Sequence, residues 1–459
     1  MKYFNHSIKI MLVFLCVILS VSSCKVGKSY VRPELKLPES LATEKESMSL
    51  ADLSWWQLYS DPMLVSLIEK SLEYNKDVLI AAARIKEMEA KKRISTADLF
   101  PHLNASASAD TKASRDEDKN TTNSHSFDGA LRLSWELDFW GNLRWARKLD
   151  IAAYLQSLEA QRALELTLVS EVAQAYYELV ALDAEMDILE QTLEDRKESV
   201  RLTRLRYDGG LISEIPYRQA QVEMARTATM IPEQERLIKL KENELAFLVG
   251  SYPRKIERKA SLAAMSQMDE LPYGLPSQLL ERRPDIRKAE QSLIAAHAQV
   301  GVSYTNMFPN FSLTAKLGSS NSELSSFLKT PFSLIEGALV APVFQAGKKR
   351  AAWKAAKAAY EQELYSYEKT VLNAFIEAQN AITNYEKQRE VLSLKVHLER
   401  SSKKYVELAR AKSLQGEILY LDLLDAQRGY LDAQIGLNNA VRDEMLAIIQ
   451  LYKALGGGW

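Results

Sequence analysis

The sequence predicts a mainly α chain with a membrane β part, built as duplicated long coiled-coil hairpins and four transmembrane β-strands. Three observations lead there. The two halves of the chain repeat each other in register; each half carries one stretch, 142–208 or 348–415, without a glycine or proline; and segments ahead of those stretches alternate between apolar and polar residues. Uninterrupted helix and period-two alternation are separate physical signals, and both recur at matching places.

The repeat is seen in Leu99-Phe100-Pro101, which returns as Met307-Phe308-Pro309 at an offset of 208. Asp77 and Asp285 keep that offset, whereas Gly141 and Gly347, Gly210 and Gly416, Ala220-Gln221 and Ala426-Gln427, and Gly250 and Gly456 are each 206 apart. Chance similarity does not hold register over such lengths. The expected organisation is 1–23 as a lipoprotein signal peptide, 24–60 as an extended linker, 61–258 as the first structural repeat and 259–459 as the second.

Lys2 and Lys9 precede the apolar run from Ile10 to Val21, which is short for a bilayer span and suits the core of a signal peptide. Small residues then lead to Cys24, as at a bacterial lipoprotein cleavage site. The other cysteine, Cys16, lies in the segment to be removed, so the mature chain has no disulfide available. Cys24 is thus the expected point of lipid attachment, which anchors without spanning. Lys25 lacks the acidic character that retains lipoproteins at the inner membrane, so the outer membrane is the expected location.

A helix is expected to open each repeat, from Asp61 to about Leu99 and from Pro276 to about Met307. Strands follow, at about 102–113 and 126–138 in the first repeat and about 310–318 and 332–344 in the second. In the first, Leu103, Ala105, Ala107 and Ala109 oppose Asn104, Ser106, Ser108 and Asp110; in the second, Leu131, Leu133 and Trp135 oppose Arg132, Ser134 and Glu136. Phe311, Leu313, Ala315 and Leu317 do the same against Ser312, Thr314 and Lys316, and the fourth run alternates less cleanly. Such lengths and patterns match outer-membrane barrel strands. Four strands cannot close a barrel, and an open edge in lipid leaves backbone groups unpaired, so the chain is expected to share a barrel with others.

Residues 142–250 and 348–456 are expected to form the hairpins. Each breaker-free stretch would make a helix of about 100 Å at 1.5 Å per residue. In the first, Leu168, Val172, Ala175, Leu179, Leu182, Met186, Leu189 and Leu193 alternate spacings of four and three, the seam of a coiled coil. The second is less regular, since Arg389 interrupts the spacing of Ala378, Ile382 and Tyr385. Glycines at Gly209-Gly210 and at Gly416 reverse the chain, and a shorter helix returns from each.

A net charge of −1 without a basic stripe interleaved with aromatic residues excludes nucleic acid as a partner. The five histidines, His6, His102, His125, His297 and His397, are scattered, and no metal site or cofactor is expected. Asp422 and Asp425, three apart in an apolar run, are neighbours on a helix face. That spacing leaves three readings: a catalytic carboxylate pair, a metal site, or two charges facing water.

Eight motifs spread over the mature chain carry a resemblance: YVRPELKLP (30–38), WWQLYSDPML (55–64), FPHLNASAS (100–108), WELDFWGNLR (135–144), LERRPDIRKAEQSL (280–293), APVFQAGKKR (341–350), LDLLDAQR (421–428) and LYKALGGGW (451–459). Together they resemble the TolC-type outer membrane factors, in the lipoprotein branch that includes the channels of RND-type multidrug and heavy-metal efflux pumps. The resemblance implies a homotrimer with a trimeric α-barrel and a shared 12-stranded β-barrel, acting as a gated exit duct and not as an enzyme. It implies a periplasmic adaptor protein, an inner-membrane RND-type pump and outer membrane lipids as partners. The adaptor-contact tips would be Gly210, Leu211, Ile212 and Ser213 with Gly416, Glu417, Ile418 and Leu419. The periplasmic gate would be Leu421, a constriction, with Asp425 in an acidic ring and Asp422 as a second acidic position. Some relatives lock the closed tip with an arginine just after the glycine; here Ile418 stands there, and Arg206 and Lys412 are the candidate substitutes. Alternative readings are an adaptor-type or structural coiled-coil lipoprotein, and the exit duct of a type I secretion system.

Overall fold

The structure, a computed structural model, describes residues 26–35, 53–59, 61–115, 121–258 and 280–457. Helices α1 (Trp55–Leu58), α2 (Pro62–Tyr74) and α3 (Lys76–Ala97) lead to strands β1 (His102–Arg115) and β2 (Thr121–Leu137), then to α4 (Asn142–Asp208) and α5 (Glu214–Leu248). The second half supplies α6 (Pro284–Thr305), β3 (Asn310–Asn321), a 3-10 segment (Leu324–Lys329), β4 (Pro331–Val340), α7 (Lys348–Gln415) and α8 (Tyr420–Ala454). The chain is mostly helical with one small antiparallel sheet, so the expected fold class holds.

Several boundaries differ from the sequence reading. The opening helix of the first repeat is two helices, because Asn75 turns the chain between them: its Oδ1 accepts the Asp77 N–H at 2.9 Å and its Nδ2 donates to the Leu248 carbonyl at 2.9 Å. In the second repeat the helix begins at Pro284 after a break at Arg283, a residue that the following proline pushes away from helical geometry; residues 276–279 lie outside the described residues. Strands β1 and β2 run on to Arg115 and back from Thr121 through polar sequence, since the ladder needs backbone groups and not apolar side chains. Strand β4 stops at Val340, two residues before Pro342, which has no N–H to give. Pro232, by contrast, stands inside α5 without ending it.

The chain divides into two compact units, and neither coincides with a sequence repeat. One comprises Met1–Leu35, Ala83–Leu158 and Lys288–Lys369; the other comprises Lys36–Ala82, Glu159–Arg287 and Thr370–Trp459. Each draws on both repeats, because equivalent segments of the two copies pack against each other.

The first unit contains the sheet, in order β1-β2-β3-β4, antiparallel throughout. Its register sorts the faces. Leu103 pairs with Leu133, Leu133 with Ala315 and Ala315 with Ile335, an apolar row; Asn104 pairs with Arg132, Arg132 with Lys316 and Lys316 with Leu334, a mainly polar row. The apolar row is bare, with Ile335 79% and Leu103 66% exposed. No helix among the described residues is long and apolar enough to cross a membrane.

The second unit holds the main core, where Leu64 and Ile68 of α2 meet Val172, Tyr176 and Leu179 of α4, Leu245 of α5 and Ile449 of α8. Asp61 caps α2, its Oδ1 accepting the Met63 N–H at 2.9 Å with Pro62 as the first helical residue. Polar seam residues fix how the return helices lie on α4: Gln234 Nε2 donates to the Leu182 carbonyl at 2.8 Å, and Asn438 Nδ2 to the Ala181 carbonyl at 2.9 Å. A slip along the seam would break both.

Candidate functional site

The two reversals at the ends of α4 and α7 are built alike. The Leu211 N–H donates to the Arg206 carbonyl at 2.8 Å and the Glu417 N–H to the Lys412 carbonyl at 3.0 Å, closing each helix end around a glycine with positive φ, +71° at Gly210 and +79° at Gly416. Only glycine adopts that conformation without strain. Beyond each glycine apolar residues stand in solvent, Leu211 73% and Leu419 72% exposed, while Ile212 and Ile418 are half-buried and Ser213 and Glu417 are exposed.

Ile418 has a packing role, since it lies against the cluster of Ala409, Leu423 and Ala426 where α7 meets the start of α8. Of the two candidate substitutes for a lock arginine, Lys412 reaches only Glu417, 3.6 Å away with both side chains more than half exposed. Pairs of that kind contribute little. Arg206 is half-buried beside its turn.

Asp422 and Asp425 lie in the first two turns of α8, both exposed, yet their surroundings differ. The Asp422 carboxylate accepts the Leu419 N–H at 3.1 Å and so satisfies a backbone donor at the helix start. Asp425 lies one turn on, and its charge is felt by Arg428. Leu421 is 53% exposed, whereas Leu424 is buried within the chain. An open groove of about 460 Å³ runs beside them, lined by Ile215 and Val222 of α5 and by Leu421 and Leu424 of α8.

The groove's polar wall was not anticipated from sequence. Glu223 of α5 is buried, and its Oε1 accepts a hydrogen bond from Arg428 Nη2 of α8; Arg226 lies 3.7 Å from the same oxygen. The Arg428 hydrogen bond holds the Glu223 carboxyl below the usual carboxylate range, against the burial that pushes it up. Arg196 of α4, also buried, donates to Gln427 of α8, and burial pulls its guanidinium down. Three helices are thus tied at one level by side chains one turn beyond Asp425. The sequence did hold a signal: Ala220, Glu223, Thr227 and Gln234 are buried at seam spacing on α5, so an acid occupies a position that should be apolar.

Among the described residues, no group of three or more His, Cys, Asp or Glu side chains is disposed to hold a metal ion. Cys24 and the signal peptide lie outside the described residues.

The pattern of the family described as "Outer membrane efflux protein" matches the chain twice, over residues 67–251 and 275–457. Cation efflux system protein CusC of Escherichia coli is 30% identical over 97% of this chain and 98% of its own length. Toluene efflux pump outer membrane protein TtgC of Pseudomonas putida is 31% identical over 96% of this chain and 93% of its own. A solved structure of CusC superposes with a TM-score of 0.88 at 29% identity, covering 95% of this chain and all of that one. A sheet with lipid-suited leucines, paired glycine-turned hairpins and this end-to-end likeness have one common account: the chain belongs to the outer membrane efflux protein family and is an outer membrane channel protein of an efflux system.

Proposed function

We propose that three copies of this chain form one exit duct, receiving cargo from an inner-membrane pump of the RND type through a periplasmic adaptor. The observation that carries the trimer is the sheet: four antiparallel strands with β1 and β4 each leaving one edge unpaired. Bare edges in a bilayer cost several kcal/mol per unsatisfied group, and three such sheets joined edge to edge make the twelve-stranded barrel. The rings of Leu421, Asp422 and Asp425 would then surround the narrow end, and the tips at Gly210 to Ser213 and Gly416 to Leu419 would meet the adaptor. Cys24, acylated, would add an anchor in the outer membrane.

Two features support the division of labour between gate and brace. Asp425 carries no capping duty, so it is the acid free to set the charge of an aperture, while Asp422 also holds the start of α8. Glu223, Arg428 and Arg196 tie α8 to α5 and α4, and an aperture that widens by moving α8 has to break these ties. The relatives above are named for cations and for toluene at nearly equal identity, which supports a duct that leaves cargo choice to the pump.

The test is cross-linking between β1 and β4 through cysteines introduced at Ala107 and Ile335 in the membrane-inserted protein. A ladder ending at the trimer is expected. A ladder ending at the dimer, or continuing past three, would overturn the proposal.

A further inference from the structure

The segments that leave the sheet share a chemistry that the channel reading does not use. Helices α4 and α7 each begin a few residues after a strand ends, and the first turn of neither contains an acid. Cations stand there instead, Arg144 on α4 and Lys348, Lys349 and Arg350 on α7, and more follow in the next turns, Arg147 and Lys148 on α4 and Lys354 and Lys357 on α7. Positive charge at a helix start opposes the helix dipole by about 0.3–1 kcal/mol per group. Local helix stability therefore does not explain those of the first turn.

Protein partners explain only some. Arg144 pairs with Asp138 at 3.0 Å, Arg147 donates to Thr96 Oγ1 at 3.1 Å, and Lys349 donates to the Asn306 carbonyl. Among the described residues Lys28, Lys148, Lys348, Arg350, Lys354 and Lys357 form no ion pair. Two of them lie on indole rings instead: Lys357 Nζ is 3.8 Å from the Trp353 centroid and Lys148 Nζ 5.5 Å from that of Trp145.

Between these rings lies an open groove of about 720 Å³, lined by Trp145, His297, Tyr304 and Trp353 with Lys28 and Lys357 among its polar groups and Glu361 as its acid. Trp145 is its fixed element. Its Nε1 donates to the Val26 carbonyl at 2.9 Å, and its ring lies so close to α6 that a Cβ on Gly301 would fall 2.3 Å from it. The rings of Tyr304 and Trp353 meet at 5.5 Å. Tyr304 precedes the first residue of β3 by six positions, so the groove sits where membrane strands give way to periplasmic helices. Aromatic rings and lysines at such a boundary face acyl chains on one side and phosphate on the other.

We propose that this groove binds an anionic glycerophospholipid of the periplasmic leaflet, with an acyl chain against Tyr304 and Trp353, which the buried Trp145 backs, and the phosphate between Lys28 and Lys357. The apolar floor offers nothing to a free phosphate, and the unpaired ammonium groups favour a headgroup of net negative charge over phosphatidylcholine, whose own trimethylammonium group competes with them for its phosphate. The proposal rests on the outer membrane placement of the sheet and is independent of the gate.

The test is native mass spectrometry of the full-length detergent-solubilised protein titrated with dioctanoyl phosphatidylglycerol, dioctanoyl phosphatidylcholine or inorganic phosphate. Phosphatidylglycerol is expected to bind at least tenfold more tightly than phosphatidylcholine, and phosphate alone not to bind. Lys28→Gln with Lys357→Gln should remove most of that preference, and Trp353→Ala should weaken both lipids. Equal affinity for the two lipids, phosphate binding as well as phosphatidylglycerol, or an unchanged preference in the lysine variant would each overturn the site. Conductance in planar bilayers, measured on the same preparations, should be that of the unaltered protein; an inactive unaltered protein would count against the channel reading and leave the lipid result to stand by itself.

Discussion

Glu223→Gln is the substitution with the most to say about how the narrow end is held. The side chain is 4% exposed and its partner Arg428 is 42% exposed. A hydrogen bond to a charged group contributes about 1.5–3 kcal/mol when well shielded, and solvent around Arg428 brings the expected value to about 1.4 kcal/mol, a factor of ten in an equilibrium constant. The open probability of single channels in planar bilayers at pH 7 should therefore rise about tenfold. Arg428→Ala should do the same, since Arg226 remains near the carboxylate, and the double variant should match either single one because both remove one interaction. The pH dependence has a definite sign. A carboxylate depressed in the folded state, as Glu223 is by Arg428, contributes stability that is present above its unfolded pKa of about 4.3 and is lost as pH falls through the folded value. Unaltered channels should hold at pH 5 to 7 and open only in acid, as pH falls below the ordinary carboxylate range, and the Gln variant should lack that acid limb. Additive effects of the two substitutions, or an open probability that neither changes, would refute the idea that this pair braces the closed end.

Further outcomes follow from the same geometry. Asp425→Asn should lower cation selectivity in bilayers with little effect on melting, whereas Asp422→Ala should also lower stability by about 1 kcal/mol because the Leu419 N–H loses its side-chain acceptor, measured by thermal unfolding. Gly210→Val with Gly416→Val meets no steric obstacle but forces positive φ on a branched residue at about 1–2 kcal/mol each, so trimers should persist on size exclusion while export is lost. Ile335→Arg on the bare apolar row should cost about 2–4 kcal/mol and reduce membrane insertion, while Thr314→Arg on the opposite face should be tolerated. Mass spectrometry of the mature protein should find Cys24 acylated and N-terminal; an unmodified cysteine would remove the anchor and leave the channel.

What the sequence made legible is what short-range chemistry dictates. Gly210 and Gly416 announce themselves because no other residue accepts their backbone, and the long helices announce themselves by the absence of breakers between 142 and 208 and between 348 and 415. Alternation located the strands but not their ends, since Thr111 to Arg115 pair through the backbone while their side chains carry no pattern. The break at Asn75 was illegible for a different reason. Its amide donates to Leu248, far along the chain, so the residue reads as an ordinary polar position until the fold brings that carbonyl to it. Arg428 was hidden in the same way, an unremarked charge until α8 lies beside α5, while Glu223 showed only as an acid at seam spacing. Pro232 does not interrupt α5, so the return helix expected from the sequence runs through it.

The duplication has a consequence for the kind of symmetry a ring of these chains can present. Moving back by 206 residues from Asp422 and Asp425 gives Pro216 and Gln219, so the acids have no counterpart on the first hairpin. Duplicating a gene frees one copy from the duties of the other, and under the proposed gate one hairpin would keep the wall while its twin carries the aperture. Six hairpins in a trimer would stand in an alternating pattern, three bearing carboxylates and three not. Any partner that touches every tip would read two alphabets in turn, Leu211-Ile212-Ser213 and Glu417-Ile418-Leu419, and a six-membered partner ring would have to tolerate that alternation while a three-membered one could choose between them.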